Sequence, residues 1–376
     1  MDAYLDNSAT TSPCPEAVAA MLDALQVRWG NPSSMHKKGY DGEAVREEAR
    51  VKVAARLHCA PEEVHFTSGG TEANNLAIIG AAMANAKRGR RVVTSSVEHS
   101  SIAQSVAELE RRGFEVVYLD VDANGRVSEE EIQAKVNADT ILVSLMAVNN
   151  EVGTLQPVDT IRKAVAAVGA PAVIHCDCVQ AFGKLPIYPN RLGVDMITVS
   201  SHKIHGPKGA GALYVRKGTK VKPILYGGEQ EGTLRPGTEP MPAIAGFGAA
   251  AAAFPDEAKS LAHVSMVKDR LVAGLNVLEG IQINSPENAL AYLTNISVPG
   301  LKSETMLNFL SERGICVSAG SACSRGKKSK VLKAMGLSER EIDGALRISL
   351  TRESSVAEVQ AFLTALEEAT RVLARS

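Results

Sequence analysis

One lysine lies where a short apolar run gives way to a loop. Met196–Val199 is followed directly by Ser200, Ser201, His202 and Lys203, and then by glycines and a proline that interrupt any regular element. A lysine amine in such a place can form an imine with a carbonyl compound, provided that burial and nearby cations lower its pKa. Taken alone, however, the pattern favours an ordinary surface lysine at a strand end.

An acidic residue ends a second apolar run. Pro171–Cys176 leads into Asp177, which precedes Lys203 by 26 residues, enough for a helical crossover between neighbouring parallel strands. The acid and the lysine would then share the carboxyl edge of a sheet, where open α/β sheets bind ligands. A pyridoxal phosphate (PLP) site needs such a lysine and an acid for the pyridinium nitrogen. The alternative for Asp177 is helix capping.

Two further segments carry residue types suited to the same site. Gly70 and Thr71 lie between a strand and a helix, where glycine allows close backbone approach and free N–H groups favour phosphate. The Thr71 hydroxyl could instead cap the helix. His99 follows the strand Arg91–Ser95 and could stack on a planar ring or move protons, although a loop histidine is more often merely exposed.

Cys323 differs from the other cysteines. Small residues surround it, and a basic run follows that includes Arg325 and Lys327. An exposed thiol near cations has a larger thiolate fraction, and the thiolate is the nucleophile. A loop cysteine beside a solvated basic run is the alternative, but exposed cysteines are otherwise uncommon.

The composition excludes several classes of protein. Forty-one basic and forty-two acidic residues give 376 residues a net charge of −1, so broad attraction to nucleic acid or membrane is not expected. The most apolar window, Met241–Pro255, is shorter than the roughly 20 residues that span a bilayer. The six cysteines show neither disulfide-scaffold nor zinc spacing, and no signal peptide is apparent. We therefore expect reduced thiols, a cytoplasmic location and no metal site.

The elements that must position these residues alternate between strands and helices. Near-continuous apolar runs predict strands buried on both faces of a mostly parallel sheet. Ala210–Val215 follows the lysine loop so closely that it could run antiparallel. The predicted strands of this part are Val64–Thr67, Arg91–Ser95, Glu115–Leu119, Thr140–Val148, Pro171–Cys176 and Met196–Val199; the predicted helices include one with Leu76, Ile79, Ala82 and Met83 on one face, Ile102–Arg112 and Thr160–Ala167.

From about residue 255 the pattern changes to a smaller α+β unit. Helices Asp256–Leu278 and Ser303–Arg313 alternate with strands Gln282–Asn284, Leu293–Val298 and Ile315–Ser318, and two late helices begin with S-x-x-E capping boxes. The last helix would bury Val356, Val359, Leu363 and Leu366. We predict an N-terminal arm at residues 1–15 associated with a small domain, a large PLP-binding domain at 16–254, and the small domain at 255–376, which carries the Cys323 loop.

Taken together, the segments resemble one family across essentially the whole chain. The chain is similar to NifS/IscS-type cysteine desulfurases, in the class V aminotransferase group of fold-type I PLP enzymes. The resemblance implies a three-layer α/β/α large domain and a smaller α+β domain. The matching segments are 4–11 (YLDNSATT), 30–34 (GNPSS), 66–75 (FTSGGTEANN), 98–102 (EHSSI), 148–153 (VNNEVG), 175–184 (HCDCVQAFGK), 200–209 (SSHKIHGPKG), 235–239 (RPGTE), 320–323 (GSAC) and 346–350 (LRISL).

The resemblance also implies roles for individual residues and a homodimer. Lys203 would form the Schiff base with PLP and shuttle the substrate's Cα proton, and Cys323 would accept sulfur. The other implied roles are pairing with the pyridine nitrogen (Asp177), hydrogen bonding near the phenolate oxygen (Gln180, Asn150), ring stacking and acid–base chemistry (His99), phosphate binding (Gly70, Thr71, Ser200, His202, and Thr238 from the partner subunit) and substrate binding (Asn150 and Arg347, which would clamp the carboxylate).

The activity implied is conversion of L-cysteine to L-alanine, with sulfur transferred to Cys323 as a persulfide. An acceptor protein for iron–sulfur cluster assembly or for tRNA or cofactor thiolation would then take the sulfur. Three features depart from the family pattern: the loop after Cys323 is shorter and more basic, cysteines flank Asp177, and Gly70 and Pro236 vary from some relatives. A selenocysteine lyase, another class V PLP enzyme such as a small-amino-acid transaminase, and a non-catalytic scaffold are the alternatives. No G-x-G-x-x-G supports a dinucleotide site.

Overall fold

The computed structural model of the chain describes residues 2–320 and 328–373, and the bounds below refer to these. The strands are β1 Ala3–Tyr4, β2 Val64–Thr67, β3 Arg91–Ser95, β4 Glu115–Leu119, β5 Thr140–Ser144, β6 Val173–Asp177, β7 Met196–Ser200, β8 Gly211–Val215, β9 Gln230–Thr233, β10 Gln282–Ile283, β11 Leu293–Ser297, β12 Ile315–Cys316 and β13 Ala345–Ser349. The helices are α1 Pro15–Gln26, α2 Lys37–Leu57, α3 Gly70–Asn85, α4 Ser100–Arg111, α5 Glu129–Lys135, α6 Ile161–Ala167, α7 Pro189–Leu192, α8 Met241–Ala253, α9 Glu257–Leu275, α10 Ser303–Ser311, α11 Lys330–Ala334, α12 Glu339–Asp343 and α13 Val356–Val372.

The largest sheet has seven strands in the order β2-β8-β7-β6-β5-β3-β4. Strands β4, β3, β5, β6 and β7 run parallel, and β8 is antiparallel to both β7 and β2. Every residue of β5, β6, β7 and β8 is buried, as expected for strands covered on both faces. The predicted parallel sheet and the reversed strand after the lysine loop are therefore confirmed.

Two apolar cores lie on opposite faces of this sheet. Val92 and Leu142 pack with Leu76 of α3 and belong to one core. Their chain neighbours Val93 and Val143 belong to the other core, which includes residues of α6 and α8. Adjacent strand residues point to opposite faces, so this division gives the helix–sheet–helix layering.

A second, three-stranded antiparallel sheet has the order β10-β11-β13. The N-terminal strand β1 pairs in parallel with β12, matching Ala3 with Ile315. Helices α12 and α13 begin at the predicted capping boxes, Ser338 with Glu341 and Ser355 with Glu358. The division of the chain into an arm and two domains stays a prediction.

Several details of the sequence-based expectations were wrong. The strand predicted at Thr140–Val148 ends at Ser144, because the chain then turns into the loop that reaches the cavity described below. On α3, the positions predicted to be buried include Ile79 and Met83, which are only half-buried, whereas Ile78 is fully buried. At the start of α13, Val356 is 39% exposed. In the two described stretches of chain, no helix combines the length and the apolar character needed to cross a membrane.

Candidate active site

A cavity of about 190 Å³ lies at the carboxyl ends of the central parallel strands. It collects side chains from β6, β7 and β13, from the starts of α3 and α4, and from the N-terminal segment. Its lining residues are Ser8, Ala9, Gly70, Thr71, Asn74, His99, Ser101, Met146, Val148, Asn150, Asp177, Val179, Gln180, Ser200, His202, Lys203 and Arg347. Ten of the predicted site residues therefore meet here, although they are distributed from residue 70 to residue 347.

Lys203 is held by the N-terminal segment. It ends a single 3₁₀ turn directly after β7. Its Nζ donates to the carbonyl oxygens of Ser8 and Ala9 at 2.6 and 2.8 Å. The His202 carbonyl next to it accepts hydrogen bonds from the Thr11 N–H and hydroxyl, at 2.9 and 3.0 Å. The amine is thus directed into the cavity by a loop that is tied at several points.

Asp177 ends β6, directly beside β7, and is buried. Its Oδ2 accepts a hydrogen bond from Asn74 Nδ2 at 2.8 Å, and its Oδ1 accepts one from the Val179 N–H at 2.9 Å. No helix begins after Asp177, so the helix-capping alternative is wrong. These hydrogen bonds stabilise the carboxylate where it lies against the cavity.

His99 belongs to the same hydrogen-bond network. It is the N-cap of α4, and its Nδ1 accepts from the Ser101 N–H at 3.2 Å and lies 2.8 Å from Ser101 Oγ. Asn74 Nδ2 in turn lies 2.8 Å from Ser101 Oγ. Burial lowers the pKa of His99, Asp177 opposes that shift and Lys203 adds to it. A neutral imidazole is therefore favoured at neutral pH.

The start of α3 and the end of β7 form the other end of the cavity. Gly69 is the N-cap of α3, at φ +150° and without a side-chain cap, so the suggestion that Thr71 caps the helix is wrong. His202 Nδ1 lies 3.2 Å from Thr10 Oγ1. Burial, with Lys203 as the next cause, lowers the pKa of His202 to about 4. Free N–H groups at the start of the helix and the Ser200 hydroxyl complete a set of donors suited to a phosphate.

Arg347 also lines the cavity and is fully buried. Its two terminal nitrogens donate to Asp6 Oδ1 at 2.9 Å and to the Asn150 carbonyl at 3.0 Å. Burial raises the pKa of Asp6, and the guanidinium works against that shift. Gln180 Nε2 donates to the Ser8 carbonyl at 3.1 Å. Both predicted substrate-contacting residues, Asn150 and Arg347, are therefore in place beside the cavity.

Two predicted residues do not line the cavity. Thr238 is exposed on its own chain, in the segment after β9. Cys323 lies outside the described residues. Glu151 contacts the chain near both ends of this gap. It accepts a hydrogen bond from Ser329 Oγ, and its Oε2 is 3.4 Å from where a Cβ on Gly320 would lie.

Sequence reasoning did not assign roles to several residues that the structure brings into the site. Asn74, Ser101 and Ser8 form hydrogen bonds that link the predicted residues to one another. The Lys184 amine donates to Gln180 Oε1. Glu98 precedes His99; its Oε1 accepts from Ser95 Oγ and the Met146 N–H, its Oε2 has no partner among the described residues, and burial raises its pKa to about 8. All of these are polar residues in segments quoted for the family resemblance, but only the folded structure shows which of them line the cavity.

The residues present fit PLP. A lysine amine and a carboxylate lie at the ends of adjacent parallel strands in one cavity. At the phosphate end, a Cβ added to Gly70 would approach Val179 Cγ2 to 3.0 Å and Ser200 Cβ to 3.7 Å, so only glycine leaves this corner open. Three lining residues, Ser8, Asn74 and Arg347, each have a buried polar atom without a partner among the described residues. Such atoms are costly unless a ligand satisfies them.

Comparison with known proteins gives consistent matches over the whole chain. Residues 3–362 match the family model described as Aminotransferase class-V. A protein named "Cysteine desulfurase IscS" from Methanosarcina thermophila is 41% identical over 369 residues, which cover 97% of this chain and 91% of the relative. A solved "NIFS-LIKE PROTEIN" is 38% identical with a TM-score of 0.94 and covers 99% of this chain and 100% of its own. The structure "SspA in complex with cysteine" is 34% identical with a TM-score of 0.83, covering 94% and 100%.

Proposed function

The chain belongs to the aminotransferase class-V family, and on that premise we propose that it is a PLP-dependent cysteine desulfurase. It would convert L-cysteine to L-alanine and pass the sulfur to Cys323. One observation carries the proposal: the Lys203 amine and the Asp177 carboxylate lie in a single cavity at adjacent strand ends. The similarity to proteins named cysteine desulfurase, and to a structure described as a complex with cysteine, supports the choice of substrate.

The residues that would hold PLP follow from the cavity. Asp177 would pair with the pyridine nitrogen, Gln180 would donate near the phenolate oxygen, and the α3 start with Ser200 and His202 would bind the phosphate. His99 would stack on the ring. When bound, PLP supplies an electron sink that makes loss of a Cα proton favourable.

The chain's own residues then handle substrate and protons. Arg347, oriented by Asp6 and the Asn150 carbonyl, binds the substrate carboxylate through its planar donor face. The Lys203 amine takes the proton from Cα and returns a proton to the product. His99, whose pKa is lowered by burial, is neutral and can accept a proton near Asp177.

The sulfur step balances without any further reagent. The Cys323 thiolate attacks the substrate sulfur, an S–S bond forms, and the substrate's C–S bond breaks with its electron pair remaining on carbon. Protonation of that carbon gives alanine, and Cys323 is left as a persulfide. An acceptor protein then removes the outer sulfur, for iron–sulfur cluster assembly or for thiolation of tRNA or a cofactor.

We also propose a homodimer in which Thr238 completes the partner's phosphate site. Thr238 is exposed and lies away from the cavity of its own chain. A row of large apolar side chains is exposed on and after α1, as a subunit interface requires. These residues are Val18, Leu22, Leu25, Val27, Trp29 and Met35. A cytoplasmic location is supported by the free thiols of Cys14, Cys59, Cys176, Cys178 and Cys316.

The test is alanine formation from L-cysteine by the unmodified protein, by Lys203→Ala and by Lys268→Ala. Lys268 is a half-buried lysine of α9 that donates to the Ala289 carbonyl and serves as the matched control. We expect alanine and a visible absorbance band with PLP from the unmodified protein and from Lys268→Ala, and neither from Lys203→Ala. A colourless protein that forms no alanine with added PLP would leave the scaffold alternative standing.

A further inference from the structure

A second lysine is buried behind the cavity. Lys184 is 4% exposed, and no carboxylate forms an ion pair with it within residues 2–320 and 328–373. Lysines are almost never fully buried without a partner, because desolvating the ammonium is expensive. Its neighbours are the Gln180 Oε1 at 3.0 Å and the ring of Tyr292, whose centroid lies 5.5 Å from Nζ. Packing against neighbouring side chains does not offset this desolvation cost, which indicates a functional role for Lys184.

The contact with Gln180 has a directional consequence. An ammonium carries only donors, so it can face only the oxygen of the Gln180 side-chain amide. The amide nitrogen is then turned the other way, where Nε2 donates to the Ser8 carbonyl at 3.1 Å. The same carbonyl accepts from Lys203 Nζ at 2.6 Å. Lys184, Gln180, Ser8 and Lys203 therefore form one chain of hydrogen bonds that ends at the cavity.

We propose that Lys184 is a positioning residue, which fixes the amide of Gln180 with its N–H donors toward the cavity and the ring oxygen of PLP. This inference rests on the proposed function. Without the ammonium behind it, only the hydrogen bond to the Ser8 carbonyl would hold the amide in this orientation. An oxygen facing the anionic ring oxygen would repel it, whereas the nitrogen donates to it.

The electrostatic surroundings of Lys184 agree with this role. Burial lowers its pKa to about 7, with the nearby charges of Lys203 and Arg347 as the next causes. The amine still donates to Oε1 when neutral, and the ammonium of the charged form enforces that direction. Lys184 does not itself line the cavity but contacts Gln180, which does, so its effect passes through Gln180.

The experiment measures PLP binding to the apoprotein by absorbance titration for Lys184→Met, Gln180→Leu and the double variant. Lys268→Met is the matched control. We expect Lys184→Met to weaken PLP binding about tenfold, because the hydrogen bond from Gln180 to the ring oxygen is no longer well aligned. The pH midpoint of the visible band should rise by about one unit for the same reason. In the Gln180→Leu background, Lys184→Met should change binding by less than about twofold.

A second variant guards against misfolding of Lys184→Met. Gln180→Glu keeps an acceptor for Lys184, so the variant should fold. It removes the N–H donors, so it should bind PLP about tenfold more weakly than the unmodified protein. Unchanged affinity and midpoint in Lys184→Met, additive effects in the double variant, or tight PLP binding by Gln180→Glu would each overturn the inference alone. An unmodified chain that binds no PLP would overturn the proposed function and this inference with it.

Discussion

Replacing Asn74 by leucine removes the side chain that connects Asp177 to the rest of the site. Asn74 is fully buried, and its Nδ2 lies 2.8 Å from both Asp177 Oδ2 and Ser101 Oγ. Leucine has a similar volume but no donor, so the main change is electrostatic. Among the described residues, the Asp177 side chain then keeps only the Val179 N–H as a hydrogen-bond donor. We expect the carboxylate to be less firmly oriented and therefore a poorer partner for a pyridinium nitrogen.

The magnitude follows from the two contacts. A hydrogen bond to a charged acceptor contributes about 1.5–3 kcal/mol, and a neutral one about 1 kcal/mol. Only the bond to the Asp177 carboxylate acts directly on the proposed reaction. A loss of about 2 kcal/mol corresponds to roughly a thirtyfold fall in kcat/KM, at about 1.4 kcal/mol for each factor of ten.

The assay is alanine formation from L-cysteine, together with PLP affinity and urea denaturation of each variant. Asn85→Leu is the matched control, since Asn85 is an equally buried asparagine of the same helix that donates to the Ala81 carbonyl, away from the cavity. Both variants should lose a similar amount of stability, but only Asn74→Leu should lose about thirtyfold in kcat/KM. Equal activity in the two variants would refute the reasoning.

Three further predictions test other parts of the structure. Gly70→Ala should weaken PLP binding about tenfold, because the new Cβ would lie 3.0 Å from Val179 Cγ2 at the phosphate end; unchanged affinity would show that this corner does not hold phosphate. Glu231→Ala should lower the free energy of unfolding by about 3–5 kcal/mol in urea, because it leaves the Arg50 guanidinium without the buried carboxylate it contacts at 2.8 and 2.9 Å; a loss below about 1 kcal/mol would contradict this. Burial lowers the pKa of His175 to about 3. The unfolded chain therefore binds one more proton than the folded chain between about pH 6.5 and 3, and the contribution of this histidine to stability falls as the pH decreases. His175→Gln should lose less stability than the unmodified protein between about pH 7 and 5, and equal losses would count against a neutral buried imidazole.

The order of strands and helices could be predicted because the sheet is buried on both faces. Continuous apolar runs such as Met196–Val199 have few other stable environments in a chain of this composition. The 26-residue separation between Asp177 and Lys203 then placed both at one edge of the sheet, and β6 and β7 are indeed neighbours. Strand ends were less certain, since the residues after Ser144 are as apolar as the strand itself.

The connections within the site could not be predicted in the same way. Ser8 and Lys203 are 195 residues apart, and their contact depends on how the N-terminal segment lies across the lysine loop. In the sequence, Lys184 is one polar residue after a glycine. Only the packed structure shows that it is buried without a carboxylate to pair with it among the described residues. Hydrophobic periodicity predicts which elements form a core, but the partners of buried polar atoms are settled by tertiary geometry.

The proposed function depends on the transfer of sulfur from L-cysteine to Cys323. The most direct measurement is intact and peptide mass spectrometry of the PLP-loaded protein after one turnover with L-cysteine and without reductant. Cys316→Ser, which removes an exposed cysteine elsewhere, is the control for Cys323→Ser. We expect one added sulfur atom on the peptide that contains Cys323, in the unmodified protein and in Cys316→Ser but not in Cys323→Ser. Alanine formed at the unmodified rate by Cys323→Ser, or added sulfur on a different cysteine, would contradict it.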